Sequence, residues 1–184
     1  MEHTAHQPRH IGWRIALWGA LLALLALPAI AMQWTDEVNW SPSDFVFAAI
    51  LLGALGAGID LALRMRGSWL RRLAIATFAL ASFLTLWINA AVGIIGDEDS
   101  INMGFTIMVI AAIAAAALVR MRAPAMANIL ALAACVPMVL GVVATVTMPG
   151  HQVEWIGLAI VTAFWLAPAA IFHLASRRER QATA

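Results

Sequence analysis

The chain has no lysine, a single cysteine, and no polar stretch long enough to fold as a separate soluble domain. Without lysine, neither a retinal-type Schiff base nor a phosphate-loop lysine can form. With Cys135 alone, no intrachain disulfide and no paired-cysteine site is possible. His-Glu-x-x-His and Gly-x-Ser-x-Gly are both missing, and with them the common metal-dependent and serine hydrolase signatures. Gly56-Ala57-Gly58-Ile59-Asp60 has one residue too many for a Gly-x-Gly-Asp protease motif, and no second intramembrane aspartate accompanies it. His173 has no second histidine at matching depth to complete a two-histidine haem site. The sequence therefore leans away from an enzyme, and no cofactor or metal is expected.

What is abundant is apolar side chain, 63% of the 184 residues, against roughly half in an ordinary soluble domain. Six runs, near 13–32, 44–64, 70–95, 102–119, 125–148 and 153–175, reach the length of about 20 helical residues needed to cross a hydrocarbon core. Backbone groups in lipid must be satisfied internally, and the unbroken runs lack the alternation of a membrane β-barrel. The expected architecture is all-α: a polytopic bundle of six transmembrane helices over 13–175, with a tail of residues 1–12 before it and a tail of residues 176–184 after it.

All eleven basic side chains are arginines, and they alternate with acids along the chain. Arg9 and Arg14 begin the first run, Arg64, Arg66, Arg71 and Arg72 divide the second from the third, Arg120 and Arg122 divide the fourth from the fifth, and Arg177, Arg178 and Arg180 follow the last. The other junctions carry Asp36, Glu37 and Asp44, then Asp97, Glu98 and Asp99, then Glu154. The positive-inside rule turns this pattern into an even number of crossings with both termini cytoplasmic. It places the protein, multi-pass, in a cell inner (cytoplasmic) membrane. The Ala, Gly and Arg bias resembles that of a GC-rich bacterial genome. A basic rim attracts anionic lipid headgroups, so membrane lipids are expected partners and nucleic acid is not. Arg14, the apolar Ile15–Leu27 and Ala29-Ile30-Ala31 also fit a cleavable signal peptide ending near residue 31; the length of the run and the spans that follow favour its retention.

Local signals place the helix ends. Ser41-Pro42-Ser43-Asp44 reads as a capping box with proline in the first turn. Gly67 and Ser68 stop the second span and cap the third, Gly96 ends the third, Pro124 starts the fifth, and Pro149-Gly150 ends it. Pro137 and Pro168 are expected to bend their helices. Leu63-Arg64-Met65-Arg66 and Val119-Arg120-Met121-Arg122 look alike, a match short enough for two ordinary basic loops to share. Gly53, Gly56 and Ala57 give the second span a small-residue surface for packing within the bundle, against a second copy, or against another membrane protein; Ala111–Ala117 is a similar run on the fourth. Trp13, Trp34, Trp40, Trp69 and Trp155 fall at interface level, and Trp18, Trp87 and Trp165 lie deeper, as packing or lipid-facing groups.

Few groups carry chemistry. Asp60 is the one ionisable side chain clearly inside a span, and Arg64, four residues on, lies on the same helical face. The pair reads either as a locally neutralised carboxylate or as a proton- or cation-responsive site. Asn89, with Thr85 one turn away, suits an interhelical bridge or a substrate contact. Asp36 and Glu37 with Asp97, Glu98, Asp99, Glu154 and His151 form an acidic rim, either solvated or a hard-cation site. His3, His6 and His10 in the first tail offer a weak metal-binding pattern.

Met32-Gln33-Trp34-Thr35-Asp36-Glu37-Val38-Asn39-Trp40, followed by Asp44-Phe45, resembles the Gln-Trp/Phe-Thr-x-Glu-Val-Asn-Trp outer-loop motif of small bacterial polytopic inner-membrane proteins of unassigned function. Trp87–Gly96 is similar to a second block of those proteins, and the resemblance spans roughly the first half of the chain. It implies class and source, and brings no site residue with it. Two functions remain in view: an accessory or assembly factor acting through helix packing, and a small oligomeric transporter or channel with Asp60 and Asn89 lining its path.

Overall fold

A computed structural model describes residues 10–65, 67–96, 99–148 and 152–182. His3, His6, Arg9, Arg66, Asp97, Glu98, Pro149, Gly150 and His151 lie outside the described residues, as does the side chain of His10. The described chain is helical, in the order α1 (His10–Ala31), α2 (Pro42–Arg64), α3 (Trp69–Val92), α4 (Asp99–Leu118), α5 (Ala123–Thr147) and α6 (Trp155–Gln181). All six are long and apolar enough to cross a membrane, and the protein is a multi-pass membrane protein. Its outward-facing side chains carry the same message: Ile15, Leu22, Ile107, Ile110, Leu132, Val146 and Ile156 are all exposed, a surface that only hydrocarbon would solvate favourably.

The first and fourth helices start three residues before the expected runs, at His10 and Asp99, and two C-terminal ends differ from the sequence reading. The third helix stops at Val92, not near residue 95, because Gly93 turns into a left-handed conformation at φ 66° and its N–H bonds back to Asn89. The sixth runs on through Arg177, Arg178 and Arg180 to Gln181, so most of the expected C-terminal tail is helix. At about 1.5 Å per residue its 27 residues extend roughly 40 Å, longer than a ~30 Å hydrocarbon core. Pro137 and Pro168 sit inside α5 and α6, fully buried.

The chain divides into two compact units at the end of α2, Met1–Asp60 and Leu61–Ala184. In the first, α1 lies on α2 through Trp18 and Leu21, which close over Gly56; a Cβ there would stand 2.6 Å from Leu21 Cδ1. Ser41 and Asp44 form the expected capping box, with Asp44 Oδ2 accepting from Ser41 N at 2.7 Å and Ser41 Oγ accepting from Asp44 N at 3.4 Å. The connecting loop closes with Glu37 N donating to Thr35 Oγ1, and Trp40 packs edge-on against Phe45.

The second unit is a four-helix bundle in which α3 adjoins α4 and α6, and α5 adjoins the same two. Its core is built from Phe78, Phe105, Met126, Leu130, Leu158, Trp165 and Phe172. Small residues set the close approaches: Gly104 lies under Leu140, and Gly141 lies under Leu158 and Trp155. Of the Ala111–Ala117 run, Ala112 and Ala116, four residues apart, are the buried pair. The two Arg-Met-Arg segments differ in backbone. Arg64 ends α2 in helical geometry and Met65 N still bonds to Leu61 O, whereas Arg120 and Met121 are left-handed, at φ 51° and 54°.

Candidate functional site

The densest polar arrangement lies where α3 gives way to α4, and its organiser is Asn102. Buried in the first turn of α4, its Oδ1 accepts from the N–H groups of Ile94 and Ile95, at 3.1 and 3.0 Å, and its Nδ2 donates to Gly96 O at 2.7 Å. One amide thus satisfies three backbone groups of the α3–α4 loop. Gly93 and Gly96, both left-handed, let that loop fold around it. At Gly93 the space is closed, since a Cβ would meet Gly96 O at 2.1 Å and Asn102 Nδ2 at 3.0 Å. Asn89 Nδ2 donates to Asn102 O at 3.1 Å, so this side chain bridges α3 to α4. Its Oδ1 has no hydrogen-bond partner among the described residues.

An open cleft of ≈ 570 Å³ borders this junction, lined by Asn89, Gly93, Gly96, Asn102, Met103 and Thr106. Among the described residues its polar lining consists of amides, a hydroxyl and backbone groups, which can hold a neutral or zwitterionic group by hydrogen bonds. A second cleft, ≈ 320 Å³, lies on the other flank of the α3–α4 loop and is largely apolar, with Ile88, Ile94, Val161 and the edge residue Glu154 among its lining.

Thr85 is one turn from Asn89 but serves a different contact. Its hydroxyl donates to Ala81 O at 2.8 Å and accepts from Trp165 Nε1 at 3.0 Å, fully buried. The indole also meets Phe78 edge-on at 6.0 Å. Thr85 therefore ties α3 to α6 and does not line the cleft.

Asp60 belongs to the first unit. Its Oδ1 stands 3.2 Å from Arg14 Nε, with the carboxylate side chain 12% exposed and the arginine 44%. The contact joins the start of α1 to the end of α2. The sequence offered Arg64 as neighbour; the structure adds Arg14, while Arg64 sits exposed as the last residue of α2. An ion pair with one half-exposed member stabilises by about 1 kcal/mol at most.

Asp36 and Glu37 are exposed on the loop between α1 and α2. Among the described residues no three His, Cys, Asp or Glu side chains come together as a metal site. His173 is exposed on α6, and Cys135 is exposed on α5.

The sequence reading missed Asn102, Arg14 as the partner of Asp60, and Arg71. The last donates from Nη2 to Met121 O at 3.0 Å, joining the start of α3 to the left-handed turn between α4 and α5. Asn102 stands out in the sequence only as a polar residue at the head of the fourth span; its role comes from contacts with residues 94–96. Comparison with known proteins finds no matching family, no matching curated protein and no matching solved structure.

Proposed function

We propose that this chain is a non-enzymatic protein of a bacterial inner membrane, an accessory or assembly factor that acts by packing helices against a membrane partner or a second copy, with both termini cytoplasmic. One observation carries the reading. Ala49, Gly53 and Ala57 repeat every four residues along α2, Ala49 and Ala57 are exposed, and nothing lies within 4 Å of where a Gly53 Cβ would be. Small residues at this spacing allow two backbones to approach closely in lipid, where packing and not the hydrophobic effect drives association. Of the small residues expected to serve a partner, Gly56 is already occupied by Trp18 and Leu21 of α1, which leaves Gly53 and Ala57. Three of the polar groups within the spans are also engaged locally, Thr85 with Trp165, Asn89 through its Nδ2 with Asn102, and Asp60 with Arg14. Engagement of this kind suits a packing protein better than a conduction path.

The alternative, a small oligomeric transporter or channel, draws on the open cleft beside Asn89 and Asn102. A single preparation separates the two. Purification in mild detergent, with mass spectrometry of what accompanies the chain, should recover a stoichiometric protein subunit or a second copy, and Gly53→Leu should release it. Solute flux in proteoliposomes that Asn89→Ala abolishes and Gly53→Leu leaves intact would favour the transporter and overturn the packing reading.

A further inference from the structure

We infer that the arginine-bearing end of the four-helix unit is a seat for anionic phospholipid headgroups, centred on Arg71 between the first turn of α3 and the α4–α5 turn. The inference does not depend on the helix-packing reading. Arg71 Nη2 holds the Met121 carbonyl at 3.0 Å, which fixes the guanidinium across the two elements. Its Nε is buried and finds no acceptor among the described residues. A buried cationic N–H without an acceptor is costly, and the charge of an anion beside the partly buried guanidinium offsets part of that cost.

The surroundings reinforce the demand for an anion. Arg120 and Arg122 are exposed on that turn, and Arg72, exposed beside Arg71 in sequence, donates from Nε to Met65 O at 3.1 Å. No Asp or Glu occurs between residues 61 and 96 or between 100 and 153, so α3, α5 and the turn before α5 contain no counter-charge. Both helices begin at this end with no acid in their first turns, and Arg122, at the N-cap of α5, makes no side-chain cap. The C-termini of α4 and α6 reach this end as well, so the helix dipoles largely cancel and the arginines themselves supply the positive charge. Depth identifies the source of the anion. Trp69, two residues before Arg71, is 62% exposed, as befits an indole at headgroup level. The phosphates at that level belong to lipid, and planar guanidinium forks match them in pairs of hydrogen bonds.

The test mixes the full-length protein in mild detergent with equimolar phosphatidylglycerol and phosphatidylcholine, and reads retained lipid by native mass spectrometry and the thermal midpoint of the same samples. A third arm contains inorganic phosphate alone. Phosphatidylglycerol should be retained in preference and should raise the midpoint, and 0.5 M salt should weaken both effects. Arg71→Gln and Arg122→Gln should each reduce the preference about fivefold, the factor expected for one arginine near an anionic surface. Arg122 is exposed and has no cap bond to lose, so its variant keeps the test decisive if Arg71→Gln does not fold. Gln33→Ala, in the α1–α2 loop, should change nothing. Equal retention of the two lipids, an unchanged preference in both arginine variants, or a midpoint raised as much by inorganic phosphate as by phosphatidylglycerol would each overturn the inference.

Discussion

The two ends of the four-helix unit solve the same problem in opposite ways. Where α3 meets α4, the chain completes itself: glycine occupies both left-handed positions, and the Asn102 side chain satisfies three backbone groups of the loop. Where α4 meets α5, the left-handed positions are held by Arg120 and Met121. There Met121 N bonds to Ala116 O and Arg120 N to Ala117 O, a Schellman closure built without glycine. That turn leans on Arg71, whose own Nε lacks an acceptor. At the first end the described loop is closed by the protein, with only Asn89 Oδ1 left without a partner among the described residues, and at the other uncompensated arginine charge is left as well. The contrast teaches that a left-handed turn position alone does not dictate glycine in this chain, since Arg120 and Met121 hold two of them.

Substitutions can break or sharpen that contrast. The largest effect is expected at Asn102→Ala, which strands two N–H groups and one carbonyl and should cost about 3 kcal/mol, read as loss of thermal stability in detergent. Gly93→Ala comes next, at roughly 2 kcal/mol, because φ is unfavourable for alanine and the Cβ would collide with the Gly96 carbonyl. Between the two ends, Trp165→Phe removes the bond to Thr85 while keeping most of the packing, and should cost about 1 kcal/mol. Arg120→Gly should move the other way, stabilising by somewhat less than ~1 kcal/mol as left-handed strain is relieved. If Arg120→Gly were instead as damaging as Gly93→Ala, the two ends would not differ as described.

Much of this was legible in the sequence, and the failures have physical causes. The six helices follow from apolar length alone, and the Ser41–Asp44 capping box from four residues. The end of α3 was misplaced because Ile94 and Ile95 are as apolar as the helix before them; they are buried in a loop that folds back, which hydropathy cannot distinguish from a continuing span. The end of α6 was misplaced in the other direction, since arginine and glutamate lower hydropathy yet are good helix formers. Asn102 looked like an ordinary polar residue at the head of a span, and Arg14 like a flanking charge. Their roles depend on contacts with residues 94–96 and with Asp60, which no local pattern encodes. The division at Asp60 was equally hidden, because α1 and α2 match the other helices in length and apolarity.

The proposed topology puts the arginine-bearing ends on one side of the membrane and the acid-bearing ends on the other. Single cysteines introduced into a Cys135→Ser background, probed with a membrane-impermeant maleimide in intact cells, test this directly. Thr35→Cys, Ser100→Cys and Gln152→Cys should label at once, while Arg72→Cys, Arg122→Cys and Gln181→Cys should label only after permeabilisation. Labelling of Thr35→Cys and Arg72→Cys from the same side would contradict the account.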